Sequence, residues 1–213
     1  MVIRSLNAAS SRERRLWKLI RPFVPKRFGW FYEGCPAVPG QMWYAERKVL
    51  YETIRQYRPQ VVCESGTWRG GGSTYFIASA LRENNSGILH TTEANSEFFG
   101  EATHSYGTVL SSLLPFVEFH FGESAAVYPP LLPKLGKVDA VLLDGAEDGP
   151  QTFQEFQVFE PYLGPGSIVM AHDWNTEKTA VLRPYLEASA EWTLIQLVPP
   201  PQSVGFAVFR HKV

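Results

Sequence analysis

The sequence predicts an α/β protein in which a largely parallel sheet is covered by helices on both faces. Three observations carry this. Short apolar runs alternate with helix-length segments from residue 61 onward. Those runs, such as residues 138–143 and 167–171, are rich in Val, Ile, Leu and Ala, as strands buried on both sides are. Each run then meets glycine, acidic or small polar residues, where a chain turns.

The elements follow in order. Residues 10–21 read as a short helix with Ser10 or Ser11 as N-cap, and Leu16, Trp17, Leu19 and Ile20 form an apolar stripe opposed by Arg and Lys. Pro22 and Pro25 end it. Residues 26–43 hold Phe28, Trp30, Phe31, Tyr32, Pro36, Pro39 and Trp43 and read as an irregular packed segment. Leu50, Ile54 and Tyr57 mark a helix over 44–57. Strands are expected at 61–63, 87–92, 117–121, 138–143 and 167–171, and helices at 73–82, 96–114, 152–162 and 176–190. Two closing strands, 192–198 and 204–209, flank Pro199-Pro200-Pro201; so short a connection makes them antiparallel neighbours.

The chain has 213 residues, 45% apolar and 19% charged, which is enough for one domain with a real core and excludes a disordered chain. It contains no run of 18 apolar residues and no signal-peptide h-region, so neither a spanning helix nor a Sec-type signal is expected. Cys35 and Cys63 are too few for a disulfide framework; Cys63 lies in an apolar run and reads as a buried thiol, consistent with a cytoplasmic protein. Net charge is −1, but residues 1–27 hold eight Lys and Arg, among them Arg4, against Glu13 alone. The head is therefore +7 and the remainder −8. The expected organisation is a basic, aromatic extension over 1–57 that covers a ligand-binding domain over 58–213.

In open α/β sheets ligands bind beyond the carboxyl ends of the strands. Those ends carry Glu64 to Thr74, Glu93-Ala94-Asn95, Gly122-Glu123-Ser124, Asp144-Gly145-Ala146-Glu147-Asp148 and His172-Asp173-Trp174-Asn175. The rim is acidic and small, and none of these stretches offers a lysine. The first turn lacks Gly-Lys-Ser/Thr, which excludes a nucleotide-hydrolase phosphate loop, and it lacks Gly-x-Gly-x-x-Gly, which disfavours a dinucleotide. Glu93 suits the vicinal diol of a ribose. A ligand with a ribose and a cationic part, but no phosphate, fits this set.

With these motifs the chain resembles class I S-adenosylmethionine-dependent methyltransferases, specifically a small bacterial branch. The shared features are Glu-x-Gly-Thr-x-x-Gly-Gly then Ser-Thr, Asp-Gly after the fourth strand, and His-Asp after the fifth. The resemblance covers residues 58–213. It implies a Rossmann-like, doubly wound sheet of seven strands, mostly parallel with an antiparallel last strand. It also implies that Glu64, Gly66, Thr67, Gly70 and Ser73 wrap the methionine end of the cofactor, and that Glu93 and Ala94 meet the ribose. Glu123 and Ser124 would lie near the adenine, with Asp144 and Gly145 near the sulfonium. The chain departs from the pattern in Gly70-Gly71-Gly72, one glycine more than expected, and in Ala146-Glu147-Asp148, where relatives often place a His and an aromatic.

The expected reaction is methylation of a hydroxyl on a small molecule or glycan. His172 and Asp173 are expected to take the acceptor proton, His172 as a general base of near-neutral pKa, with Asp144 orienting the site. Asp144 and Asp173 could instead hold a divalent cation such as magnesium, as in catechol-type relatives. There an Asn follows the second Asp; here Trp174 does, and Asn175 comes one later. The alternatives are a non-catalytic S-adenosylmethionine-binding module and a nicotinamide-dependent oxidoreductase. For the basic head the readings are a solvated face, a foothold on anionic lipid through residues 10–27 at the inner membrane face, or a transit peptide. No base-reading motif accompanies it, so nucleic acid is not expected. The aromatic head and the closing strands offer a face for a homodimer.

Overall fold

The computed structural model describes residues 5–213; Arg4 of the basic head lies outside them. The Ser10 side chain caps α1 (Ser11–Ile20), and the Glu13 carboxylate returns the bond by accepting from the Ser10 N–H. After a 3-10 turn at Arg21–Phe23 comes α2 (Lys26–Glu33). This corrects the irregular segment expected over 26–43, which begins as a helix with Pro25 at its N-cap. The Trp17 ring packs 4.5 Å from Tyr32, and Phe28 lies 4.7 Å from Tyr44. In α3 (Tyr44–Tyr57), buried Arg47 donates to the carbonyls of Phe31, Tyr32 and Gly40, tying α2 and the following segment to this helix. Burial lowers its pKa only to about 10, so it remains charged.

The alternating part comprises β1 (Val61–Ser65), α4 (Ser73–Asn84), β2 (Ile88–Glu93), α5 (Ser96–Gly107), β3 (Val117–Phe121), α6 (Ser124–Leu135), β4 (Ala140–Leu143), α7 (Gly149–Phe159), β5 (Ile168–His172), α8 (Leu182–Ala188), β6 (Trp192–Val198) and β7 (Phe206–His211). The sheet has seven strands in the order β3-β2-β1-β4-β5-β7-β6, and β7 runs antiparallel to both of its neighbours. The remaining pairings are parallel.

Three helices differ from the sequence reading. α5 stops at Gly107 instead of reaching 114. The 176–190 segment divides into a 3-10 turn at Glu177–Thr179 and α8, with Pro184 in the first turn of α8, where no N–H donor is required. α6 was not expected, because Pro129, Pro130 and Pro133 remove backbone donors. Packing outweighs that loss: Tyr128 and Leu132 are fully buried, and the Tyr128 hydroxyl meets the carbonyls of Glu64 and His90.

Alternation along the strands sends neighbouring residues into different cores. Val62 joins Leu50, Ile54, Phe76 and Leu89 on one face, while Cys63 joins Tyr128, Val141, Phe156 and Trp174 on the other. Cys63 is a buried thiol, as expected, and burial pushes its pKa up. Phe31, Met42 and Tyr51 of the first 57 residues share the first core with the sheet. No described helix is long and apolar enough to cross a membrane.

Candidate active site

The strand order reverses between β1 and β4, and a cleft opens there at the carboxyl ends of the strands. The turns that follow these two strands lie back to back. A Cβ on Gly66, whose φ is +92°, would stand 2.9 Å from the Gly145 Cα, so both positions must be bare for the turns to meet. The cleft has two chambers. The inner one, 430 Å³, is lined by Glu123, Ser124, Ala125, Ala146, Gln151, Gln154 and Glu155. The outer one, 740 Å³, is lined by Met42, Trp43, Thr67, Trp68, Ser73, Phe98, Asp144, His172, Asp173 and Lys178. Gly66, Glu93, Ala94, Gly145 and Glu147 line both and form the seam between them.

Gly71 of the first turn has a visible cause, whereas a Cβ on Gly72, the additional glycine, would meet nothing nearer than 3.7 Å. A Cβ on Gly71 would lie 2.3 Å from the Val38 carbonyl oxygen and 2.5 Å from that of Pro39. A Cβ on Gly40 would lie 2.3 Å from the Gly71 carbonyl oxygen. These bare positions let residues 38–40 rest on the turn, and Gln41, Met42 and Trp43 continue from there as a wall of the outer chamber.

Most of the expected cofactor residues face the cleft. Glu93 ends β2 and accepts from the N–H groups of Trp68 at 2.7 Å and Asn95 at 2.8 Å, which fixes its carboxylate at the seam. Ser124 lines the inner chamber with its hydroxyl on Glu155. Ser73 opens α4, at the positive end of a 12-residue helix. Glu64 and Gly70 stand behind the wall. Glu64 is fully buried and accepts from the hydroxyls of Thr74 and Thr91, each at 2.7 Å. Burial raises its pKa to about 7, against the pull of its Ser73, Thr74 and Thr91 hydrogen bonds. Gly70 accepts from the buried Tyr106 hydroxyl at 3.1 Å.

Around the outer chamber His172, Asp144 and Asp173 are brought together. His172 Nδ1 lies 3.1 Å from Asp144 Oδ1 and 3.4 Å from Asp173 Oδ1. Its Nε2 lies 3.2 Å from Glu46 Oε2. Asp173 takes a left-handed φ of +56°, a conformation Asp tolerates better than most residues, as the chain turns away from β5. Burial alone would lower the His172 pKa, but Asp144, then Asp173 and Glu46, carry it well above its ordinary value. The general base of near-neutral pKa expected at His172 thus stands among three carboxylates, which favour the protonated ring.

Two residues of this cluster escaped the sequence reading. Lys178 Nζ sits 3.1 Å from Asp173 Oδ2 and 3.6 Å from Asp144 Oδ1, so the rim does contain a lysine. It lies six residues beyond the end of β5 at His172, in the 3-10 turn capped by Thr176. Burial works against its charge, but Asp144 and Asp173 outweigh this and raise its pKa. Glu46 is fully buried; it accepts from the Trp43 N–H at 2.7 Å and from the Ser203 hydroxyl. Its only sequence signal was its position in the first turn of α3. Burial opposes the charge of Asp173, but His172 and Lys178 beside it lower its pKa to about 2.

The fold agrees with what known proteins show. Residues 63–174, more than half of the chain, match a family described as a methyltransferase domain. The chain belongs to that family and is a class I S-adenosylmethionine-dependent methyltransferase. No curated protein matches its sequence significantly. Among solved structures, it is similar to the O-methyltransferase TomG of Streptomyces achromogenes, a protein of tomaymycin synthesis solved with S-adenosylmethionine (18% identity, TM-score 0.66, 96% of this chain and 91% of that one). It is also similar to a Bacillus cereus O-methyltransferase solved with the demethylated product (16%, 0.66, 96% and 93%). A methyltransferase of Geobacter sulfurreducens is a third (14%, 0.63, 97% and 90%).

Proposed function

We propose that this methyltransferase acts on a hydroxyl group of a small molecule or glycan, and that Asp144 receives the acceptor proton. The observation that carries this reading is the place of Asp144. It stands in the outer chamber beside the Gly66–Gly145 seam, and its carboxylate is close to the two cations His172 and Lys178. Adenine would lie along Glu123 and Ser124, the ribose on Glu93, and the methionine part along Gly66, Thr67 and Ser73. Ala94 and Gly145 would flank the path between the chambers. S-adenosylmethionine supplies an electrophilic methyl group on a sulfonium.

The acceptor oxygen bonds to the methyl carbon as the carbon–sulfur bond breaks, and that electron pair stays on sulfur. The acceptor proton passes to the Asp144 carboxylate. His172, protonated and fixed by Glu46, holds Asp144 and Asp173 in place rather than taking the proton itself. Lys178 offers its ammonium to the acceptor oxygen. Asp173, 3.1 Å from Lys178 and 3.4 Å from His172, serves to orient both cations.

The donor set fits a divalent cation poorly. The ligand atoms of Asp144, His172 and Asp173 lie within 4.8 Å of one another, but the Lys178 ammonium already pairs with both aspartates. Trp174, at the position of the third oxygen ligand in catechol-type relatives, is buried and has no lone pair to offer, and Asn175 is exposed.

The test is titration with S-adenosylmethionine and its demethylated product, followed by turnover with a panel of hydroxyl acceptors. Asp144→Asn should cut kcat by about 10²-fold or more, the usual range for a lost proton acceptor, with product affinity nearly unchanged. Glu93→Ala should instead weaken both ligands. Equal loss of binding and turnover in Asp144→Asn would end the proposed role, and binding without transfer to any acceptor would favour a non-catalytic module.

A further inference from the structure

Away from the cleft, the open edge of the sheet carries a second group of ligating side chains. In the parallel register His90 of β2 faces Glu118 of edge strand β3, and His120 lies two residues beyond Glu118, so all three point to one face. His90 Nδ1 is 3.3 Å from His120 Nε2 and 3.3 Å from Glu118 Oε2. All three ligand atoms lie within 4.8 Å of one another. Two donors bound to one tetrahedral zinc, each at about 2.0–2.1 Å, stand about 3.3 Å apart. Two edges of such a tetrahedron are therefore already in place before any ion is added.

We infer that His90, Glu118 and His120 form a binding site for a borderline transition-metal dication, zinc foremost, independent of methyl transfer. Imidazole and carboxylate are the ligands zinc accepts, and three protein ligands leave a fourth position for water. His90 is buried and its carbonyl is anchored by Tyr128, so the vertex of the site is rigid. Glu118 is exposed and provides the way in. An ion here would clip the edge strand to β2, the strand that presents Glu93 to the cleft.

The experiment is equilibrium dialysis of the full chain against zinc, with metal analysis and thermal melting. The wild type should bind one more zinc than His120→Ala and should melt higher with zinc, since a ligand that binds only the folded state stabilises it. His120→Ala and Glu118→Gln should each weaken that zinc by at least about 100-fold, more than loss of an outer-shell partner costs. Asp173→Asn should retain it, and both edge variants should bind the demethylated cofactor as the wild type does. Equal zinc content in wild type and His120→Ala, or loss of the zinc in Asp173→Asn, would overturn the site. So would wild type without bound zinc at micromolar concentrations.

A separate surface supports a second inference. On α1 and the turn after it, Leu16 is 54% exposed, Leu19 72%, Ile20 42% and Phe23 88%. Arg12, Arg14, Arg15, Lys18 and Lys26, all exposed, lie in the same stretch of a chain whose remainder is acidic. We propose that this surface binds anionic lipid. The apolar side chains would enter the headgroup boundary while the basic ones meet phosphates, a pairing that neutral lipid or an acidic second copy of the body would not provide in full. Sedimentation with phosphatidylcholine vesicles, with and without phosphatidylglycerol, tests it. Binding should require the anionic lipid, fall with salt, and be lost in Leu19→Glu/Phe23→Glu while cofactor affinity is kept. Binding unaffected by that double substitution would refute it, as would no vesicle binding from a protein that dimerises through the same residues.

Discussion

Replacing Glu46 tests whether the site is held together from outside the sheet. Its carboxylate does two jobs that can be valued separately. It caps α3 through the Trp43 N–H, and removing such a cap costs about 1 kcal/mol. It also pairs with the His172 imidazolium while fully buried, and breaking a buried pair from one side costs about 3–5 kcal/mol. Because His172 keeps Asp144 and Asp173, the lower end of that range applies. Glu46→Ala should therefore lose about 4 kcal/mol in urea denaturation, a large share of the ~5–15 kcal/mol that holds a typical domain together. Glu46→Gln keeps the volume and the cap but loses the charge, and should lose about 1.5–3 kcal/mol, the value of a hydrogen bond to a charged group. A cycle with His172→Gln should show a coupling of about 1 kcal/mol or more, within the range for residues in contact. Additive losses, within about 0.5 kcal/mol, would mean that His172 is not charged against Glu46. The account of His172 as a fixed imidazolium would then fail.

Three further outcomes follow from the same geometry. His172 has a raised pKa when folded, so its contribution is complete below about pH 6.5 and is lost as pH rises through the folded value; wild type should lose stability on the alkaline side, and His172→Gln should show less of that slope in paired denaturation curves. Glu64, raised by burial to about 7, costs stability once ionised, so Glu64→Gln should gain roughly 1–3 kcal/mol at pH 8 and little at pH 4 by the same measurement. Gly71→Ala places a Cβ within 2.3 Å of the Val38 carbonyl oxygen, and it should lower the thermal midpoint and weaken binding of the demethylated cofactor as residues 38–43 are pushed off the turn.

The order and type of most elements were legible because the residues that set them are local. Apolar runs mark strands buried on both sides, and the Ser10–Glu13 capping box marks the start of a helix without reference to the remainder of the chain. The same locality explains what was missed. The prolines of α6 argue against a helix until Tyr128 and Leu132 are seen packed in the core. The strand-end rule located the cleft and the residues of its rim, because every parallel strand delivers its last residues to the same edge.

What only the tertiary structure decided is the state of the groups gathered there. Taken by itself, His172 is a histidine of ordinary pKa beside one aspartate. Folding brings Asp144 to it from the neighbouring strand and Glu46 from a helix 126 residues earlier in the chain, and three carboxylates raise its pKa well above the ordinary value. Lys178 likewise becomes part of the site only when the turn after β5 folds back over Asp173 and Asp144. Why Gly71 must lack a side chain is likewise visible only once residues 38–40 are found lying on it. Residue type and spacing thus determined the fold class and which residues stand at the strand ends around the cleft. Protonation depends on the sum of nearby charges in a low-dielectric place, and that sum exists only once distant segments have met.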